Sequence, residues 1–198
     1  MDLSTQDPDH YLAADEVIDS EHPAVRALAA ELRASNLDAA RYAKAAFEWV
    51  RDNVSHSFDV QDPRVTLTAS EALRERVGLC YAKAHLLTAL LRAEGIPTGL
   101  CYQRLADEAT GGHALHGLIA AHLGGSWHRQ DPRGNKPGVD AQFSLEREHL
   151  AWPVDPAEGE VDYPTVFTAP VPEVVDALRS ADNVLLLYRQ GLPSALKH

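Results

Sequence analysis

Cys80 follows Gly78-Leu79 where an apolar helix is expected to begin. At a helix N-terminus the unpaired backbone N–H groups and the helix dipole favour negative charge, so a thiol placed there suits a nucleophile. The plainer reading is a small core residue, since free cysteine is among the most buried residue types. A thiol nucleophile needs a base within hydrogen-bond reach, and the base needs a third group to fix its tautomer. Ten histidines make a chance match easy, so the choice among them has to come from geometry. Gly124-Gly125 reads as a two-residue hairpin loop, which sets Leu123 opposite Ser126 and Leu118 opposite Asp131. Side chains alternate faces, so His116, Leu118 and Asp131 share one face, with His116 and Asp131 in diagonal range. The same register puts His128 on the opposite face, sends His122 toward the turn and leaves His113 in the glycine-rich loop. His116 is the candidate base and Asp131 its orienter. Taken alone, each has a plain alternative: a strand histidine satisfied by a carbonyl, and an Asp-Pro turn opener.

Further candidates surround these three. The Cys80 backbone N–H would supply one oxyanion donor, and the second could be Gln103, His56 or a backbone group in Ser55–Asp59. Gln103, His56, Asp59 and Tyr81, the residue after the nucleophile, are therefore candidate oxyanion or cleft residues. Arg51, Asp52, His56 and Asp59 form a polar cluster ahead of the nucleophile helix, with a solvated loop as its plainer reading. Cys101 lies in an alternating strand with no glycine break or helix terminus nearby, and reads as core.

The elements that must position these groups follow from periodicity. Val25, Leu28, Ala29 and Leu32 predict a helix over Pro23–Leu32, and Ala43, Ala46, Phe47 and Val50 predict another over Asp38–Val54, capped by Asn36 or Asp38. Ser55–Val65 loses periodicity and is expected to be a loop or irregular extended segment. Thr68 and Ser70 can cap a short helix through Arg76, which Gly78 is expected to break. From Cys80 the stripe Leu86, Leu87, Leu90 and Leu91 predicts a helix buried along one side, stopped by Gly95 and Pro97. Strands are expected over Thr98–Leu105, Leu115–Leu123 and Ser126–Gln130. Helices first and an antiparallel sheet after them make an α+β protein. Pro132–Pro172 reads as irregular, with a short helix over Pro172–Arg179 and an apolar run at Val184–Tyr188.

The length of 198 residues suits one domain over 1–198. A formal charge of −11 opposes nucleic acid and anionic membrane surfaces as partners. Met1–His10 is polar and acidic where a secretory signal needs an apolar stretch, and two cysteines are too few for a disulfide framework, so a cytoplasmic location is expected. Without C-x-x-C pairs or a D-x-D-x-D-G loop, neither a metal nor another cofactor is expected.

The run Gly78-Leu79-Cys80-Tyr81-Ala82-Lys83-Ala84-His85-Leu86-Leu87, continuing to Ala89-Leu90-Leu91-Arg92-Ala93-Glu94-Gly95-Ile96-Pro97, closely resembles the core motif of the transglutaminase-like superfamily. That family carries G-x-C at a helix start, L-L-R-x-x-G-I-P at its end, then a strand with His and a neighbouring strand with Asp, matched here by His116 and Asp131-Pro132. The resemblance covers Thr68–Gly134 and leaves 135–198 as an irregular C-terminal elaboration, with Arg133-Gly134-Asn135-Lys136 looking like a feature of a bacterial subgroup. Leu118 stands where an aromatic residue is common, and Ala82-Lys83 where an acidic one is, while Trp127 keeps the aromatic position ahead of the Asp. The resemblance implies a papain-like core and thiol-dependent acyl transfer or hydrolysis at an amide of a peptide, protein or small molecule, as a cysteine peptidase, amidase or transglutaminase. Arylamine acetyl transfer is a remote alternative, lacking a glycine loop for coenzyme A. The alternative from another class is a silent binding or scaffolding module on the same fold.

Overall fold

The computed structural model describes residues 1–107 and 110–197, so the C-terminal elaboration is described as far as Lys197. Helices α1 (Pro23–Ala34) and α2 (Ala39–Asn53) form where the apolar spacing requires them. Asp38, rather than Asn36, caps α2 by accepting from the Arg41 N–H.

The stretch after α2 is more ordered than its composition suggests. Ser55–His56 form a short strand, β1, followed by one helical turn, α3 (Ser57–Val60). Helix α4 (Ala69–Glu75) opens on a complete capping box between Thr68 and Glu71. Arg76, with φ of 56°, ends it, and Val77–Gly78 then form β2, parallel to β1, with His56 beside Gly78. Gly78 is thus a strand residue and not the break in α4. What requires glycine there is space: a Cβ would meet Ala82 Cβ and Thr66 Oγ1, each at 2.8 Å.

Helix α5 (Cys80–Ala93) is buried on every side, not along one stripe, because α1, α2 and α4 cover one flank and the sheet the other. Its lysine, histidine and arginine are held by main-chain carbonyls: Lys83 by those of Val50, Arg51 and Val54, His85 by Leu67, and Arg92 by Ala13, Thr98 and Thr168. Such partners are what buried charge requires. Burial still drags Lys83 down to about 7, with Arg133 nearby adding to the fall.

The sheet is antiparallel, ordered β5 (Ser126–Gln130), β4 (Gly112–Leu123), β3 (Thr98–Asp107), β6 (Val161–Asp162). Gly124 and Gly125 both take positive φ and set Leu123 opposite Ser126, the expected register. Leu115, Ile119 and Ala121 join the core around α5, whereas Leu118 packs with Tyr11, Cys101 and Val166 in a separate cluster. The unbroken register keeps His116 and Leu118 on one face of β4, with Asp131 beside them as expected, and that face also carries the second cluster. Strand β6 corrects the expectation of an irregular stretch, and the apolar run near the end is a helix, α7 (Val184–Gln190), following α6 (Pro172–Arg179). Asn183 caps α7.

Candidate active site

The Cys80 sulfur stands at the first residue of α5, whose N-cap, Leu79, offers no side-chain cap. The helix start is left open to polar partners. Gly117 N–H points at the sulfur from 3.4 Å. A Cβ at Gly117 would lie 2.8 Å from the Tyr81 ring, so a glycine is what lets β4 approach this closely.

His116 lies on β4 just beyond its last pair with β5, and Asp131 follows β5 directly. His116 Nε2 donates to Asp131 Oδ2 at 2.8 Å. The carboxylate is fully buried and also accepts the N–H groups of Ala151 and Arg133, both at 3.0 Å. Burial pushes Asp131 up, but the charge and hydrogen bond of His116 and these two amides hold it below the usual range. Burial likewise opposes charge on His116, yet Asp131 and Cys80 outweigh it and raise the imidazole to about 10. Trp152 meets the ring edge-on, with centroids 5.1 Å apart. Cys101 is fully buried and burial pushes its thiol up to about 12.

A cavity of about 680 Å³ opens over this group. Cys80, Tyr81, His116 and His56 all line it, so four of the seven residues singled out in the sequence share one space. The buried His56 ring is driven well below its ordinary value by desolvation and by Arg133, and its Nδ1 has no partner among the described residues. Tyr81 forms floor and brace, its hydroxyl donating to the Leu115 carbonyl. Gln103 does not reach the cavity: it pairs with His116 across β3 and β4, but its amide donates to Asp162 at 3.0 Å. The strand β6, which brings Asp162 there, gave no sequence signal. Asp59 also stays outside the lining, because Arg133 and Lys136 both claim its carboxylate and hold it down near 2 against burial. Arg51 and Asp52 pair with each other at 2.7 Å.

Sequence reasoning missed Trp152, Arg133 and Tyr188, which wall the cavity from the C-terminal half. Arg133 is buried, stacks on Trp152 and pairs with Asp59, while Tyr188 stacks on Phe58 at 4.2 Å. Their separation from Cys80 along the chain leaves no local signal, and only the isolated aromatic types in a proline-rich stretch could have drawn notice. Among the described residues no cluster of His, Cys, Asp and Glu could hold a metal ion, and no helix is long and apolar enough to cross a membrane.

No curated protein matches this chain. Among solved structures, a Cytophaga hutchinsonii protein provisionally described as a cysteine protease is 21% identical, with a TM-score of 0.51 over 66% of this chain and 43% of the other. The ethylmercury-bound periplasmic domain of TgpA from Pseudomonas aeruginosa is 20% identical, with a TM-score of 0.49 over 65% of this chain and 50% of the other. This chain thus spans no more than half the length of either, and at 21% identity the likeness to the Cytophaga protein is one of fold. The sequence profile of the transglutaminase-like superfamily matches residues 26–132, more than half of the chain and the span that holds Cys80, His116 and Asp131, and the chain belongs to that superfamily.

Proposed function

We propose that this protein is a thiol enzyme that transfers or hydrolyses the acyl group of an amide, with Cys80 as nucleophile, His116 as acid and base, and Asp131 as the group that orients His116. The observation that carries this reading is the 2.8 Å bond from His116 Nε2 to a buried Asp131, in a cavity that also holds Cys80 at an uncapped helix start. An imidazole tied through Nε2 turns Nδ1 toward its other partner, the thiol. The proton passes from Cys80 to His116, and the sulfur attacks the amide carbonyl. The tetrahedral oxyanion collapses with cleavage of the C–N bond, and the leaving amine takes the proton from His116. Water or an amine, deprotonated by His116, then attacks the thioester and returns Cys80. The substrate is a peptide, a protein or a small amide.

The Cys80 N–H supplies one oxyanion donor. For the second, His56 is favoured over Gln103, because its ring lines the cavity and, being neutral, keeps one N–H to donate, whereas Gln103 is committed to Asp162.

The test is the pH dependence of Cys80 alkylation by iodoacetamide, read by mass spectrometry beside Cys101 and repeated in His116→Ala. A rate that reaches its plateau by about pH 7, below the range where ordinary free thiols ionise, and that loses this profile without His116, is the expected result. A Cys80 profile that rises only at alkaline pH and ignores His116 would leave a binding module on this fold.

A further inference from the structure

Pairing between β5 and β4 ends at Ile119 and Gln130, so among the described residues no strand covers that edge of β4 from Gly112 to Leu118. Three backbone groups along it are nonetheless engaged. Gly117 N–H faces Cys80 Sγ, the Leu115 carbonyl accepts from Tyr81, and Leu115 N–H donates to the carbonyl of Pro193 at 2.7 Å. Residues two apart on a strand are separated by roughly 7 Å, so the Pro193 carbonyl sits about one dipeptide along the edge from the amide that touches the sulfur. Leu192, its neighbour, lines the same cavity as Cys80. An open strand edge beside a cavity is where an extended chain adds by main-chain pairing, with alternate side chains entering pockets. Here a segment of the protein itself stands in that place.

The segment 191–197 has no helix or strand of its own. Besides Leu115 it is held by Arg104 on the Ser194 carbonyl at 3.2 Å, by Tyr163 Oη accepting from Leu196 N–H at 3.4 Å, and by Glu173 accepting from Lys197 N–H at 2.6 Å. Leu192 and Leu196 are only half-buried. A few partly solvated bonds and two half-buried side chains place it at the low-stability end of the molecule. Its far side borders a second cavity of about 1240 Å³, shared with the stretch from Tyr163 to Glu173. The segment is therefore a partition between two spaces.

Building on the assignment of Cys80, His116 and Asp131 as the reaction centre, we propose that 191–197 is an intramolecular strap. It occupies the β4 edge that an extended polypeptide acyl donor would use, and the cleft admits such a donor only when the strap swings away.

The test uses the full chain carrying Leu192→Asp and Leu196→Asp, which removes both apolar anchors and touches neither Cys80, His116 nor Asp131. Three readouts are expected to change together. Iodoacetamide labels Cys80 at least about tenfold faster than in the parent chain, the peptide acetyl-Gly-Leu-Pro-Ser-Ala-Leu-Lys-amide slows that labelling again, and hydrogen exchange at the Leu115 amide accelerates while Ile119 stays protected. Equal labelling rates together with unchanged Leu115 exchange would overturn the strap. Should the double variant lose its fold, Leu192→Ala is read the same way, with at least about threefold faster labelling expected. The two ideas fail separately. A thiol indifferent to His116 sinks the reaction centre, whereas exchange at the Leu115 amide reports on the strap without any chemistry.

Discussion

Asp131 is the residue on which most of the site's electrostatics depend, since it is wholly buried and its carboxylate serves His116 and two backbone amides. Asp131→Asn keeps the shape but presents an amide where His116 Nε2 needs an acceptor. Turnover is expected to fall roughly 10²-fold to 10⁴-fold, by analogy with orienter losses in other triads, as measured by kcat on a responsive amide substrate. The pair also gives stability a pH dependence. His116 is raised from 6.5 to about 10 in the folded chain, so its contribution is complete below its unfolded value and is lost as pH rises through about 10. The urea midpoint is expected to fall between about pH 7 and pH 10, and that slope to flatten in Asp131→Asn. At the proposed oxyanion position, His56→Ala is expected to lower kcat by roughly 10²-fold or more, while Gln103→Ala leaves kcat within a few-fold. Equal effects of the two would remove His56 from that role.

Two close approaches at the scale of elements hold the Cys80 helix, α5, in place. Strand β4 comes against the first turn of α5 at Gly117, and β2 comes against it at Gly78. Gly117→Ala drives a methyl group into the Tyr81 ring, so a loss of about 1–3 kcal/mol is expected from overpacking, read by chemical unfolding. The same substitution should slow Cys80 labelling, since the strand that yields is the one bearing His116. Helix α4 tests a separate kind of contribution. Thr68→Ala removes half of a capping box and should cost about 1 kcal/mol, with no change in the pH profile of Cys80, because neither residue of that box lines the cleft.

Across the whole molecule, the C-terminal half closes the site that the helices and first strands begin. Arg133 reaches back to Asp59, Arg129 binds both Glu148 and Asp162, and Trp152 and Tyr188 complete the cavity wall. Asp59→Ala leaves the buried Arg133 guanidinium without its carboxylate. Breaking such a pair from one side is expected to cost up to about 3–5 kcal/mol, measured as a shift in the unfolding midpoint. The loss should exceed that of Asp62→Ala, whose partner Arg64 is half-exposed.

What the sequence determined by itself was everything carried by short-range signals. Helical spacing placed α1, α2 and α5, the Thr68 and Glu71 pair placed α4, and Gly124-Gly125 set the register that brings His116 to Asp131, because each of these is a matter of backbone preference over a few residues. Tertiary structure alone decided the rest. Gln103 goes to Asp162 and Asp59 to Arg133 through partners 59 and 74 residues away, and the strand over Val161–Asp162 exists only because β3 offers it an edge. The burial of Lys83 was equally invisible, since three carbonyls from a different helix and the turn after it are what make a buried ammonium tolerable. Periodicity reports which face of an element is apolar, but the partner that satisfies a polar group is chosen only when distant segments meet.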